Sequence, residues 1–391
     1  MSAIFNFFYI YDPWLFHFFR MAFFSGFVAL FFLIIKLYRN KQIQGIFIPL
    51  DNLVVIIILI MFSFIPLLLN RSKDLSVVIQ YTKFLIFFIC AVGIYNLFYY
   101  FPNGKFTLIR DLKIGVIVQF CVGILSLIGI SFITEFALST NALLVRFYGS
   151  EQEYRLYNIT SSAFFQLSVF YLFLLNFLLA YNKKYNNINP IFLFLILFIG
   201  LISGRTFIML SIVSISFYFK KEYILPLLAF FMTCLFLAIN FSQHKYVAHA
   251  LEPLINLIND HSLHSSSTDI LIRKHLFLPE IKQILIGDGY YFTEQGKYYG
   301  HTDSGFLRQI LYGGFSYLII CFLFTAYFVY KVATNWFDGS KVFILSTLLI
   351  LSILNVKADT YAFPNLMMMF LIFLSFFGHN SKFSIVLAGR K

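Results

Sequence analysis

The chain has 391 residues and a formal net charge of +12; 60% of its residues are hydrophobic, 21% aromatic and only 12% charged. Soluble domains carry roughly 25% charged residues, so this composition excludes an ordinary soluble enzyme. The basic residues are scattered over loops on both sides of the apolar segments, which argues against nucleic acid as a partner. The apolar segments are continuous, without the alternation of barrel strands. We predict an all-α polytopic integral membrane protein.

About 11 segments are apolar enough to be membrane spans, for which about 20 residues are normally needed. The sixth and seventh are short, and Ser203–Thr206 interrupts the apolar run between them. A charge at mid-bilayer costs at least about 2.5–3.5 kcal/mol, so we predict two short helices that meet at the membrane surface with Arg205 between them. The predicted spans are 20–36, 47–69, 76–101, 113–134, 161–181, 191–203, 206–219, 223–241, 305–330, 342–357 and 362–378.

Lysine and arginine are concentrated in one of the two sets of short loops, which includes the C-terminal segment 379–391. Basic residues are retained on the cytoplasmic side of a membrane, so we predict a cytoplasmic C-terminus. The outer face then holds 135–160, Arg205, 242–304 and 358–361. An odd number of spans places the N-terminus outside. No cleavable signal peptide is expected, because the N-terminus lacks a basic region and a small-residue cleavage site.

The hydrophilic stretch 242–304 is a large loop between an N-terminal transmembrane bundle (1–241) and the C-terminal transmembrane helices with their tail (305–391). We expect short helices in it, for example at 247–259 and 269–284. A membrane protein that gathers titratable groups at one water-facing edge is predicted to have its functional site there. Six of the eight histidines lie in this loop: His244, His249, His261, His264, His275 and His301.

Two arginines on the outer face are candidates for binding phosphate, which a guanidinium contacts in a bidentate manner. Arg205 lies between two helices, and the N-terminus of the second favours an anion. Arg273 follows a predicted helix N-cap at Ser267 or Thr268. For both arginines the alternative is a side chain that reaches headgroups or solvent and binds no substrate. The charged residues of 135–160 either line the same site or are solvated: Arg146, Glu151, Glu153 and Arg155.

A tight turn with aromatic residues lies near the end of the loop. Gly287 and Gly289 flank an aspartate and permit positive φ. Tyr290 and Tyr291 follow, and exposed tyrosines suit stacking on sugar faces. Such turns also occur where no ligand is bound.

The segment His301–Ser304 directly precedes the ninth predicted span, and Arg308 lies about one turn inside that span. A histidine held by neighbouring acidic and hydroxyl groups is suited to act as a general base near neutral pH. The alternative is that Asp303 or Ser304 caps the helix and His301 is simply exposed.

Metal and disulfide chemistry are not predicted. Asp260, His261 and His264 offer possible ligands, but no full ligand set with tight spacing is present. The four cysteines all fall within predicted spans: Cys90, Cys121, Cys234 and Cys321.

The order of these motifs resembles the Wzy-type O-antigen and oligosaccharide repeat-unit polymerases, which share an architecture with the O-antigen ligases. The resemblance rests on S-G-R-T at the end of one span, then R-x-x-L near G-x-G-Y in a large loop, then H-x-D-S-G-F-L-x-x-x-L-x-G-G entering a span. The motifs cover only 205–206, 267–290 and 301–316. The ligase signature has nine residues between its His-polar pair and G-x-x-G; here there are ten, and Ser316 stands at the second glycine. The R-x10-G repeats of some polymerases are also absent. The departures from the ligase signature favour a polymerase over a ligase.

The resemblance implies metal-independent glycosyl transfer at the periplasmic face of the bacterial inner membrane, without a cofactor. The donor would be a growing glycan on undecaprenyl pyrophosphate, and the acceptor a hydroxyl of a lipid-linked repeat unit. Membrane lipids and a chain-length regulator protein are the other expected partners. Arg205 and Arg273 would neutralise the pyrophosphate, as divalent ions do in other transferases, and His301 would orient or deprotonate the acceptor hydroxyl.

The remaining residues of the predicted site would bind or position the substrate. Asp303 would steer His301, and exposed tyrosines would contact sugars. The full substrate-binding set is Asp303, Arg308, Tyr290, Tyr291, Tyr299, Gly287 and Gly289.

Two other functions are compatible with the same features. One is ligase-type transfer of a glycan to lipid A core, and the other is a flippase or transporter for lipid-linked oligosaccharides. Transporters usually have paired broken helices and ionisable residues near the membrane midplane. The sequence predicts one broken pair, with charges at the outer rim, which favours chemistry at the membrane surface.

Overall fold

The computed structural model describes residues 1–39, 45–141, 144–260, 271–363, 365–378 and 384–387. The chain is 75% helical. Its α-helices are α1 (Ser2–Tyr11), α2 (Met21–Arg39), α3 (Leu50–Asn70), α4 (Ser76–Phe98), α5 (Gly104–Leu127), α6 (Ser131–Ser139), α7 (Phe164–Tyr185), α8 (Ile191–Ser203), α9 (Arg205–Phe217), α10 (Ile224–Asn240), α11 (Lys245–Ala250), α12 (Glu252–Asp260), α13 (Ile281–Ile286), α14 (Gly305–Phe337), α15 (Lys341–Asn355) and α16 (Leu366–Leu374).

Five helices in the described residues are long and apolar enough to cross a membrane, and they support the predicted all-α membrane protein. Several further apolar helices are shorter. The five are Leu50–Asn70, Ser76–Phe98, Phe164–Tyr185, Lys221–Asn240 and Gly305–Phe337.

Two short antiparallel strand pairs accompany the helices. Strands β1 (Trp14–Leu15) and β2 (Phe19–Arg20) form a small hairpin near the N-terminus. Strand β3 (Ile46–Pro49) leads into α3 and pairs with β4 (Ser384–Leu387). Neither pair was predicted, because strands of two to four residues leave no hydropathy signal.

The chain divides into two compact units, each built from two separate stretches of the sequence. The first consists of Met1–Val28 and Phe101–Ser265, and the second of Ala29–Tyr100 and Ser266–Lys391. This division differs from the linear one expected from the sequence. The loop 242–304 is shared between the units.

Helix α7 is the centre of the first unit, where it contacts α8 and α9. It is buried along nearly its whole length, and the buried residues include the polar Asn182. Asn182 donates to the Tyr223 hydroxyl at 2.8 Å and accepts from the Ile188 N–H at 2.8 Å. These bonds satisfy amide groups that would otherwise be costly to bury.

Helix α14 is the longest helix of the second unit and contacts α3, α13, α15 and α16. Its helical geometry is interrupted at Gly313 and Gly314, the second of which has φ 77°. A glycine adopts this conformation without the penalty that a Cβ would bring. The helix therefore consists of a short first segment, which carries Arg308, and a long apolar segment that follows the break.

One predicted element is wrong. The helix expected at 269–284 is replaced, within the described residues, by a π-helical turn at Leu271–His275 and by α13, with an irregular segment between them. Pro279 lies in that segment, and proline cannot donate the N–H that a continuous helix needs. The proposed N-cap residues Ser267 and Thr268 lie outside the described residues, as do His261 and His264.

Candidate functional site

Arg205 is the first residue of α9, after a break at Gly204 where the sequence predicts one. The break is closely packed, because a Cβ on Gly204 would lie 2.7 Å from the Ser168 hydroxyl oxygen. The Arg205 side chain is only 14% exposed and forms an ion pair with Glu252, the first residue of α12. Arg205 is therefore fixed in place and does not extend freely towards lipid headgroups.

A second arginine of the same unit, Arg155, lies with Arg205 beside His249. The His249 Nδ1 atom lies 3.0 Å from the Tyr154 hydroxyl and 3.4 Å from Nη2 of Arg155. Burial, together with the charges of Arg155 and Arg205, lowers the pKa of His249 to about 4. His249 is consequently neutral at pH 7, and Nδ1 is able to accept a hydrogen bond. We call Tyr154, Arg155, Arg205, His249 and Glu252 the Arg205 cluster.

A carboxylate network holds α11 against the preceding loop beside this cluster. The Tyr157 hydroxyl donates to Oε1 of Glu153 at 2.6 Å, and the Tyr246 hydroxyl donates to the same oxygen at 3.3 Å. Burial raises the pKa of Glu153, but hydrogen bonds from Tyr157, from the Gly149 N–H and from Tyr246 outweigh it and leave the pKa lowered. Glu153 is therefore ionised and structural at neutral pH.

In the second unit, the turn that carries Arg273 is bonded to the His301–Ser304 motif. The Thr302 hydroxyl donates to the His275 carbonyl at 2.6 Å. The His275 Nδ1 atom lies 3.0 Å from the His301 carbonyl oxygen and 3.3 Å from the Asp303 N–H. Its Nε2 atom lies 3.5 Å from Oδ2 of Asp303. The Asp303 carboxylate thus contacts His275, whereas the sequence predicted that it would steer His301.

Arg308 is the anchor of this motif. Its Nη2 lies 3.1 Å from Oδ1 of Asp303, its Nη1 lies 2.8 Å from Oδ2 of Asp359, and its Nε donates to the Thr302 carbonyl at 3.0 Å. The guanidinium also lies over the Tyr298 ring, 3.2 Å from the centroid. Only 3% of the Arg308 side chain is exposed. Its donors are directed at the protein, which fits a positioning residue better than the substrate contact predicted for it.

The Gly287–Gly289 turn is docked on the break in α14. The Asp288 N–H donates to the Leu311 carbonyl at 2.7 Å, and the Gly289 N–H donates to the Tyr312 carbonyl at 2.9 Å. A Cβ on Gly287 would lie 2.5 Å from the Tyr312 backbone. The glycines thus permit close packing of two backbones.

Only some of the predicted tyrosines face outwards. Tyr291 is buried, and its backbone N–H donates to Oδ2 of Asp74 at 2.7 Å. Tyr290 is 42% exposed, and its ring centroid lies 5.7 Å from that of Tyr299. The Tyr299 hydroxyl donates to Asp288 at 3.1 Å. Tyr290 and Tyr299 therefore form a partly exposed aromatic pair.

Arg273 and His301 are both exposed. His301 has a positive φ of 50°, which a non-glycine residue adopts at a small energetic cost. The structure joins the Arg273 turn to His301, Asp303 and Arg308 in one motif of the second unit. Arg205 belongs to the first unit.

The sequence does not predict the roles of several residues in these clusters. It indicates His275 only as one of six loop histidines, and it predicts no role for Asp359. Its signal was available, because it is the one acidic residue of the predicted outer segment 358–361. The sequence predicts Arg155 only as one of four charged residues that either line the site or are solvated, and His249 only as one of six loop histidines, because their contact joins segments more than 90 residues apart.

Within the described residues, no group of three or more His, Cys, Asp or Glu side chains is arranged to hold a metal ion. Comparisons with family models, curated proteins and solved structures gave no match.

Proposed function

We propose that the protein is an oligosaccharide repeat-unit polymerase of the bacterial inner membrane, with its active site on the periplasmic face. In this topology the five long apolar helices and six others (α2, α5, α8, α9, α15 and α16) make eleven spans. The substrates are undecaprenyl-pyrophosphate-linked glycans. The observation that carries the proposal is the bonding of the turn that carries Arg273 and His275 to the segment His301–Ser304 at the start of α14, where Arg308 anchors it.

The chemistry of glycosyl transfer matches this set of groups. The acceptor hydroxyl must lose a proton as its oxygen bonds to the anomeric carbon, and histidine is suited to receive it. The bond from that carbon to the pyrophosphate oxygen breaks, so negative charge grows on phosphate, and an exposed guanidinium such as that of Arg273 stabilises it. The Tyr290–Tyr299 pair, whose rings are tilted by 33° against each other, supplies aromatic surface for a sugar.

Polymerisation also uses two lipid-linked pyrophosphates, one on the donor and one on the acceptor. The second unit offers Arg273, and the first offers Arg155 and Arg205 beside a neutral histidine. Each unit therefore provides guanidinium groups for an anionic headgroup.

The test is synthesis of a polymer by purified protein in liposomes, given undecaprenyl-pyrophosphate-linked repeat units with EDTA present. We expect a ladder of product lengths that Arg273→Ala reduces at least 100-fold. Lys274→Ala is the matched control, because Lys274 is the adjacent exposed cation, and it should keep the ladder. Absence of a ladder with the wild-type protein would refute the proposal. Transfer to added lipid A core would then indicate a ligase, and movement of substrate across the bilayer a flippase.

A further inference from the structure

We propose that His275 is the general base that takes the proton from the acceptor hydroxyl. This inference rests on the polymerase function and assigns a catalytic residue within the same site. The structure places the His275 imidazole between the His301 carbonyl and the Asp303 carboxylate, with 20% of its side chain exposed.

The two ring nitrogens of His275 have different surroundings. Nδ1 lies 3.0 Å from the His301 carbonyl oxygen and 3.3 Å from the backbone nitrogen of Asp303; the carbonyl contact is the shorter of the two and favours a proton on Nδ1. Nε2 then carries the lone pair. It lies 3.5 Å from Oδ2 of Asp303, which is longer than a hydrogen bond. In the tautomer with the proton on Nδ1, Nε2 is free to accept a proton.

The same contacts stabilise the imidazolium that forms. Once Nε2 is protonated, it donates towards the Asp303 carboxylate while Nδ1–H keeps the His301 carbonyl. Asp303 cannot simply turn away, because its other oxygen is held by Arg308 at 3.1 Å. Arg308 is in turn fixed by buried Asp359 at 2.8 Å. Asp303, Arg308 and Asp359 are positioning residues in this arrangement.

In the proposed step, the acceptor oxygen forms a bond to the anomeric carbon, and its proton moves to Nε2 of His275. The bond between that carbon and the pyrophosphate oxygen breaks, and the electron pair leaves with undecaprenyl pyrophosphate. The proton then passes from His275 to water or to the pyrophosphate, which restores the neutral imidazole.

His301 is less well arranged for this role. Its carbonyl is used to orient His275, and its side chain is exposed. The Asp303 carboxylate, the group that would stabilise a charged imidazole, contacts His275. The two histidines therefore make different predictions when each is replaced.

The discriminating variants are His275→Asn and His275→Gly. An asparagine amide takes the place of Nδ1 and keeps the bond to the His301 carbonyl, but it has no group that accepts a proton. If His275 is the base, His275→Asn should lose activity about 10²–10⁴-fold, the usual contribution of general base catalysis. Exogenous imidazole should restore part of the activity of His275→Gly, and the rescue should increase with pH as more imidazole is neutral.

The readout is the initial rate of ladder formation in the liposome assay, with thermal stability measured for each variant. His244→Gln is the control, because His244 is another exposed loop histidine. Normal activity of His275→Asn would overturn the proposal and leave His275 a structural role. Loss of activity in His275→Gly without imidazole rescue, together with rescue of His301→Gly, would assign the base to His301. A wild-type protein without a ladder would refute the proposed function itself, and this inference with it.

Discussion

Replacement of Asp359 by asparagine tests whether the buried ion pair with Arg308 organises the start of α14. Asp359 is fully buried, and its partner is 3% exposed at 2.8 Å. Removing one charge of a buried pair leaves the other uncompensated, at a cost of about 3–5 kcal/mol. Arg308 retains Asp303 and the Thr302 carbonyl in the variant. We therefore expect Asp359→Asn to lower the free energy of unfolding by about 3 kcal/mol, the lower end of this range.

The matched control is Asp303→Asn, which removes the other carboxylate that Arg308 contacts. Asp303 is 55% exposed, and exposed ion pairs contribute about 0–1 kcal/mol. The two carboxylates therefore share one cation but differ in burial. We expect Asp303→Asn to change the unfolding free energy by less than about 1 kcal/mol.

The assay is unfolding in mixed detergent micelles, followed with a thiol-reactive dye. Cys90, Cys234 and Cys321 have buried thiols, so they react when the protein opens. In a double-mutant cycle with Arg308→Met, the Asp359→Asn and Arg308→Met losses should not add, because each single variant leaves a buried group without its partner. Equal effects of Asp359→Asn and Asp303→Asn, or strict additivity in the cycle, would refute the reasoning.

The remaining predictions concern a histidine, a glycine and a tyrosine. The pKa of His249 is lowered in the folded state to about 4, so the unfolded chain binds its proton first as the pH falls. The contribution of His249 to the free energy of unfolding should be constant above about pH 7 and should decrease below about pH 6.5, by up to about 3 kcal/mol near pH 4. Equilibrium unfolding at several pH values should show this pH dependence, and His249→Gln should remove it. Gly314→Ala should lower the free energy of unfolding by several kcal/mol, since a Cβ would collide with the Leu285 carbonyl. Gly296→Ala is the control, because Gly296 is also at positive φ but has open space around it, and it should cost only about 1–2 kcal/mol in the same assay. Equal losses in the two variants would show that the collision is unimportant. Tyr290→Ala should raise the KM for the repeat unit about 10-fold and leave thermal stability unchanged; an unchanged KM would remove Tyr290 from the sugar site.

The sequence predicted the apolar helices well because hydropathy is a local property. It also predicted the break at Gly204, since a charge within an apolar run forces an interruption. The first helix Ser2–Tyr11 was missed, and α5 begins at Gly104, nine residues before the predicted 113, because charged residues interrupt its first turns. Helix ends of this kind depend on packing that local hydropathy does not report.

The site was predictable only in part, for a physical reason. Motif residues such as His301 and Asp303 are visible in the sequence, but their partners come from distant segments. Arg308 and Asp359 are separated by 51 residues, and Asp74 reaches Tyr291 across 217. Burial determines the roles of two of these residues. The Arg308 side chain is buried and anchors its neighbours inside the protein, and Tyr291 is buried and inaccessible to a ligand.

The docking of the Gly287–Gly289 turn on α14 has a consequence for how such a protein can diversify. The two hydrogen bonds that dock the turn on α14 run from main chain to main chain, to the carbonyls of Leu311 and Tyr312. Side chains beyond the turn can therefore be exchanged while those bonds remain. Under the proposed function, exchange of a few aromatic residues beside the turn would change the glycan preference without rebuilding the scaffold.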